Sequence, residues 1–144
     1  MKVEILREFR EADATDLGEL MCELKPDFAG EIDAKMLREI IASPHHAIFA
    51  ARDHSRIVGV AILSEILDLA DGRIAYLSCF ATSAHIRSRG VGSAIWDAML
   101  DWCAAREIKL MEFTSNKTRA AAHNFYLKKG CQIYDTTVFK LLLT

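Results

Sequence analysis

The sequence predicts an α/β domain, a mixed and mostly antiparallel sheet with helices on both faces. Three observations predict it. Short apolar runs at 47–51, 57–66 and 76–82 alternate with segments whose apolar residues recur every three or four positions. The run 76–82 leads through the turn Arg87-Ser88-Arg89-Gly90-Val91-Gly92 into a helical stripe of Val91, Ile95, Ala98, Met99 and Trp102. A further strand at 108–114 follows that helix, and a strand–helix–strand connection of this length implies a parallel neighbour.

Taken in order, Val3, Ile5 and Phe9 alternate with Lys2, Glu4 and Arg7, so the chain opens with a strand. Asp13 is expected to cap a helix whose buried stripe is Ala14, Leu17, Leu20, Met21 and Leu24, ended by Pro26. Asp33 caps a second helix with Met36, Leu37, Ile40 and Ile41 on its inner face, and Ser43-Pro44 stops it. The runs 47–51 and 57–66 flank Asp53-His54-Ser55-Arg56 and read as a hairpin; Asp71-Gly72 turns the chain into the next strand. After strand 108–114 comes a helix over 117–129, closed by Gly130, and residues 133–142 are expected to supply the closing strand or strands.

At 144 residues with no linker, repeat or low-complexity tract, the expectation is one domain over 1–144. A net charge of −2 excludes a broad basic field for nucleic acid or an anionic membrane, so any positive site is local. No apolar run approaches the roughly 18 residues of a membrane span, and the N-terminus lacks a signal-peptide layout. Cys22, Cys79, Cys103 and Cys131 form no C-x-x-C pair and no zinc spacing, which reads as reduced thiols in a cytoplasmic protein without a metal.

The turn before the long helix carries chemistry. The first turn of a helix leaves N–H groups unpaired and a partial positive charge, so a glycine-rich entry suits an anion. Gly90 and Gly92 can adopt positive φ and admit phosphates close to the main chain, while Arg87 and Arg89 add full charges. An ordinary tight turn with two surface arginines fits the same residues. A P-loop is excluded because Ser93-Ala94 follows Gly92 where Lys-Ser/Thr is required. A dinucleotide fingerprint would need a third glycine where Ile95 stands, although Glu112 lies at about the distance of its acidic partner.

Arg87, Gly90 and Gly92 after a buried strand resemble the Arg/Gln-x-x-Gly-x-Gly/Ala signature of the GNAT acetyltransferase superfamily. Downstream, Thr114-Ser115-Asn116, Arg119, Ala122-His123, Phe125-Tyr126 and Gly130 are similar to a second segment found in its small bacterial members. The resemblance implies acetyl-CoA as co-substrate and an amine acceptor, a homodimer, and two parallel strands, 76–82 and 108–114, that splay apart to admit the pantetheine arm. It assigns Phe80, Ala81, Thr82, Arg87, Ser88, Arg89, Gly90, Val91, Gly92, Ser93, Asn116, Arg119 and Phe125 to the cofactor, and residues 25–32 to acceptor choice.

Acetyl transfer by direct attack needs a route for the ammonium proton, donors for the developing oxyanion and a proton for the departing thiolate. The resemblance makes Tyr126 the proton donor, against the alternative of a tyrosine that simply packs like Phe125. Many members carry a carboxylate on the central strand, where this sequence has Ser78 and no acid between Ile74 and Thr82. Glu112, Glu65, His123 or a water chain could replace it, with Glu112 ranked first. The missing acid also keeps open a non-catalytic acyl-CoA-binding or regulatory domain on the same fold.

Overall fold

The computed structural model describes residues 1–87 and 89–144, in two compact units, Met1–Phe113 and Thr114–Thr144. The first unit is built on a five-stranded sheet in the order β1-β2-β3-β4-β5, with β1 Lys2–Ile5, β2 His46–Asp53, β3 Arg56–Asp68, β4 Gly72–Thr82 and β5 Leu110–Glu112. The first four strands pair antiparallel in a meander, and only β4 and β5 are parallel. Its helices are α1 Glu11–Leu24, α2 Ala34–Ala42 and α3 Val91–Ala105.

Strand β2 explains how both faces are covered. Ile48 and Ala50 join the core cluster formed with Leu17 and Leu20 of α1 and Leu37 of α2. The residue between them, Phe49, meets Trp102 of α3 edge-on at 6.2 Å. Successive strand residues point to opposite faces, so α1 and α2 cover one side and α3 the other. This is why Ala47 through Ala51 is buried without a break and reads as a continuous apolar run.

Several element ends differ from expectation for local reasons. Helix α1 begins at Glu11, with Arg10 in the cap position and no side-chain cap bond. Asp13 is committed elsewhere: both its oxygens accept from Arg52, at 2.9 Å each, while Arg52 Nε donates to Glu4 at 2.7 Å. One turn on, Asp16 accepts from Arg56 Nε at 2.7 Å and from the Ile57 amide at 2.9 Å. Two buried carboxylates therefore lock α1 to the β2–β3 hairpin. Asp33 caps α2 as expected, accepting from the amides of Lys35 and Met36, but Met36 itself is half exposed.

The long helix is held close to the sheet by an absent side chain. A Cβ on Gly59 of β3 would lie 2.8 Å from both Val91 Cγ1 and Ile95 Cδ1 in the first two turns of α3. Only glycine allows that approach.

In the second unit α4 spans Ala120–Lys128. It starts three residues later than the pattern suggested because Asn116 Oδ1 accepts from the Thr118 amide at 2.9 Å and its hydroxyl at 2.7 Å, tying residues 116–119 into turns. Gly130, at φ 93°, ends the helix as expected: its amide donates to Leu127 O, and that of Cys131 to Tyr126 O. The expected closing strand over 133–142 is not formed among the described residues. An apolar run becomes a strand only where a ladder takes up its backbone groups, and none is recorded for this segment, in which Phe139, Leu141, Leu142 and Leu143 are more than four-fifths exposed.

Replacing Gly59 by Val should push Val91 and Ile95 out of a close-packed contact, at a cost of about 1–3 kcal/mol. Urea unfolding is the check, expected to show a lower midpoint with an unchanged slope; an unaltered midpoint would mean that α3 tolerates a wider stand-off.

Candidate active site

The site grows from a mismatch in the lengths of β4 and β5. Their ladder consists of Ile74↔Leu110, Ala75↔Met111 and Tyr76↔Glu112, whereas β4 continues to Thr82 in its ladder with β3. Residues 77–82 therefore run past the last β5 rung, and a gap opens between the two parallel strands. The opening coincides with a β-bulge. On the β3 side Leu63 pairs with Leu77 and Ile62 with Cys79, leaving Ser78 as the extra residue. A bulge bends its strand and increases its twist, which turns the end of β4 away from its neighbour.

Beyond the bulge come Phe80, Ala81 and Thr82. The Phe80 ring lies 6.0 Å from that of Trp96 on α3, and Trp96 meets Phe113, just after β5, at 6.3 Å. This aromatic chain spans β4, α3 and the end of β5, and Trp96 and Phe113 gave no signal in the sequence beyond their hydrophobicity. The chain then turns. The Ser83 amide donates to Val58 O at 2.8 Å, residues Ala84–Ile86 make a single 3-10 turn, and Gly90 caps α3 at φ 80°.

The conformational role assigned to the two glycines falls on one of them. Gly90 is left-handed, and nothing stands within 4 Å of where its Cβ would be. Gly92 lies inside α3, so its use is to keep the first turn bare. With Val91, Gly92 and Ser93 in that turn and Arg87 and Arg89 before it, the helix start offers backbone amide donors and two arginines. Such a donor set fits a diphosphate. Ser88 lies outside the described residues.

The other predicted residues, Glu112 apart, belong to the second unit. Arg119 is the cap residue of α4 rather than a member of its face. His123 Nε2 lies 3.1 Å from Ser115 Oγ, and the Phe125 and Tyr126 rings pack edge-on at 5.9 Å, Tyr126 being buried. Asn116 is engaged in its own turn through Oδ1. Glu112 is exposed on the last rung before the gap.

Glu65 belongs to a different structure. Its side chain is 2% exposed and meets three basic side chains: His45 Nδ1 at 3.0 Å, Arg73 at 2.9 Å and Arg106 at 3.2 Å. Arg106 is the C-cap of α3, so the cluster, beside an open cleft of about 450 Å³, sits at the opposite end of that helix from Gly90. Burial pushes the Glu65 carboxyl up, but bonds from His45 and Arg106 and the charge of Arg73 outweigh it and hold it below its ordinary range. A carboxylate held low in this way by His45, Arg73 and Arg106 is a poor base.

The model of the acetyltransferase (GNAT) family matches residues 16–131 of this sequence. The chain belongs to that family. Acetyl-CoA is the acetyl donor of GNAT enzymes. Among solved structures, the fold is similar to that of an aminoglycoside acetyltransferase from an uncultured soil metagenomic sample (TM-score 0.86, 18% identity, covering 99% of this chain and 96% of that one). It is also similar to a transcriptional regulator from Bacillus halodurans (0.81, 21%, 99% and 100%). A third likeness is to AAC(6')-Iy in complex with a CoA-containing bisubstrate analogue (0.77, 18%, 100% of both chains). At these identities the likeness is one of fold. Among curated proteins none matches the chain.

The Glu65 cluster gives a pH prediction. A carboxyl whose folded pKa is depressed contributes stability above its unfolded value, about 4.3, and loses it as pH falls through the folded value. Glu65→Gln should cost about 1–3 kcal/mol at neutral pH. Melting curves of both proteins between pH 7 and 3 should show the difference shrink below about pH 4, while acetyl transfer at pH 7 stays intact. A difference constant with pH would contradict the ionic role.

Proposed function

We propose that the chain, taken whole, is one N-acetyltransferase domain that moves an acetyl group from acetyl-CoA to a primary amine of a small molecule or peptide. The observation that carries this reading is the gap beside β4 leading directly into the left-handed Gly90 and the bare first turn of α3. In the proposed assignment Arg87, Arg89 and the first-turn amides of Val91, Gly92 and Ser93 hold the diphosphate. Backbone groups of Phe80, Ala81 and Thr82 face the pantetheine and the developing oxyanion, and Ser88, Asn116, Arg119 and Phe125 keep the cofactor roles their motif gives them.

Bound acetyl-CoA supplies an activated thioester. Glu112, exposed on the last rung before the gap, is assigned the ammonium proton, directly or through water. His123, already paired with Ser115, is second choice for that proton. Tyr126 is assigned the proton for the departing thiolate: a phenol has an ordinary pKa near 10, so it is protonated at neutral pH and can donate to the thiolate sulfur as the C–S bond breaks. One observation favours a second reading, a non-catalytic acyl-CoA-binding or regulatory domain. Ser78 occupies the β4 position where many relatives carry an acid, and here it is spent on the bulge.

Two further features belong to this proposal. The cysteines of the chain are all free, in keeping with a cytoplasmic protein. The segment that carries Ile133, Tyr134, Val138, Phe139, Leu141, Leu142 and Leu143, each more than half exposed, supports a homodimer that covers it. Light scattering at micromolar concentration should give twice the chain mass, and Phe139→Asp should shift it toward the monomer. A monomer mass for the unaltered protein at high concentration would remove the dimer.

Gly92→Val and Tyr126→Phe together test the chemistry. Gly92 lies within α3, so the Val variant should fold yet lose CoA affinity by calorimetry. Tyr126→Phe should keep CoA affinity and lower kcat about 10²- to 10⁴-fold, read as free thiol with a panel of amines. Full activity of the Phe variant would end the acid role. No thiol release by the unaltered protein with any amine, alongside intact CoA binding, would favour the regulatory reading.

A further inference from the structure

Arg87, the cation at the head of the signature, does not face solvent alone. Glu23, in the last turn of α1, places Oε2 3.6 Å from Arg87 Nη2 and 3.1 Å from the amide of Ala84, from which it accepts a hydrogen bond. A glutamate there works against its own helix, because the C-terminal end of a helix carries partial negative charge, and the last turn of α1 has no basic residue to offset it. What holds Glu23 in place is the turn, not the helix. The cap residue of the 3-10 turn, Ser83, is turned toward His85 Nδ1 at 2.8 Å, so the side chain that receives the turn's first amide comes from α1.

The two contacts of this carboxylate are unequal. Its bond to Ala84 is a good hydrogen bond, whereas 3.6 Å to the guanidinium is ion pairing without one. Both side chains are also well exposed, so the pair is screened and cheap to separate. We propose that Glu23 is an internal anion standing in for the donor's diphosphate at Arg87: binding must draw the arginine off Glu23, and the carboxylate left behind opposes the incoming charge. Donor affinity is thereby set from the end of α1, the helix that leads into residues 25–32. This inference rests on the assignment of Arg87 to the diphosphate.

Glu23→Gln separates the two contacts, since the amide oxygen still accepts from Ala84 while the charge is gone. CoA titrated by calorimetry should bind the Gln variant about three- to tenfold more tightly, with the gain shrinking in 0.5 M salt. S-acetylpantetheine, which lacks the diphosphate, should bind both proteins alike. Arg87→Gln is the control for the underlying assignment and should weaken CoA alone. If Arg87→Gln weakens CoA while Glu23→Gln leaves it unchanged, the stand-in role is wrong and the diphosphate assignment survives. If Arg87→Gln has no effect, the assignment falls and this inference with it. An equal gain for S-acetylpantetheine would show that Glu23 acts on the turn's shape and not on the diphosphate.

Discussion

Strand β4 outlives its parallel partner, and the rest of the molecule is arranged around that inequality. The end of β4 keeps its ladder with β3 but runs beyond the last rung it shares with β5. This stretch begins at the bulge, carries Phe80 against Trp96, and leads into the turn before α3. Helix α3 cannot drift from this junction because Gly59 draws its first two turns onto β3. The end of β4 and the start of α3 thus meet the same residue of β3, Gly59, which fixes their spacing as a site that works by positioning requires.

Charge is divided by task. Asp13 and Asp16 are buried against Arg52 and Arg56, and the bond from Asp13 is the largest of the effects that raise the Arg52 pKa above its ordinary value. Glu65 gathers His45, Arg73 and Arg106 at the far end of α3. These groups sit in fixed, mostly short pairs and serve the frame. At the turn the pairing is looser: Arg87 shares one carboxylate at longer range. A family that changes acceptors while keeping its frame is expected to separate the two kinds of charge in this way.

Much of this was legible in the sequence. The meander, the caps at Asp33 and Gly130, and the strand-to-helix turn each follow from a local code that the fold does not override. The misreadings share a cause. Asp13 looked like a cap because a carboxylate before an apolar stripe usually is one, and only the fold brings Arg52 to it from a strand far along the chain. Asn116 delayed α4 through a turn bond that competes with helix formation. Glu23 carried a faint signal, an acid in the last turn of a helix, whose meaning depends on Ala84 and Arg87 arriving from elsewhere. Apolar character alone did not make residues 133–142 a strand.

The bulge also says something about how such a chain tolerates insertion and deletion. Leu77 and Cys79 already face Leu63 and Ile62, consecutive residues of β3, so removing Ser78 would leave every remaining rung between the two strands as it is. Side chains before and after it would keep their faces, and the core would not be scrambled. What would disappear is the bend. A one-residue deletion at this point would leave a flatter sheet with the same interior, whereas deleting a neighbouring rung residue would displace apolar groups. Substitution and deletion at Ser78 are therefore different events: the first alters a side chain, and the second can close the cleft.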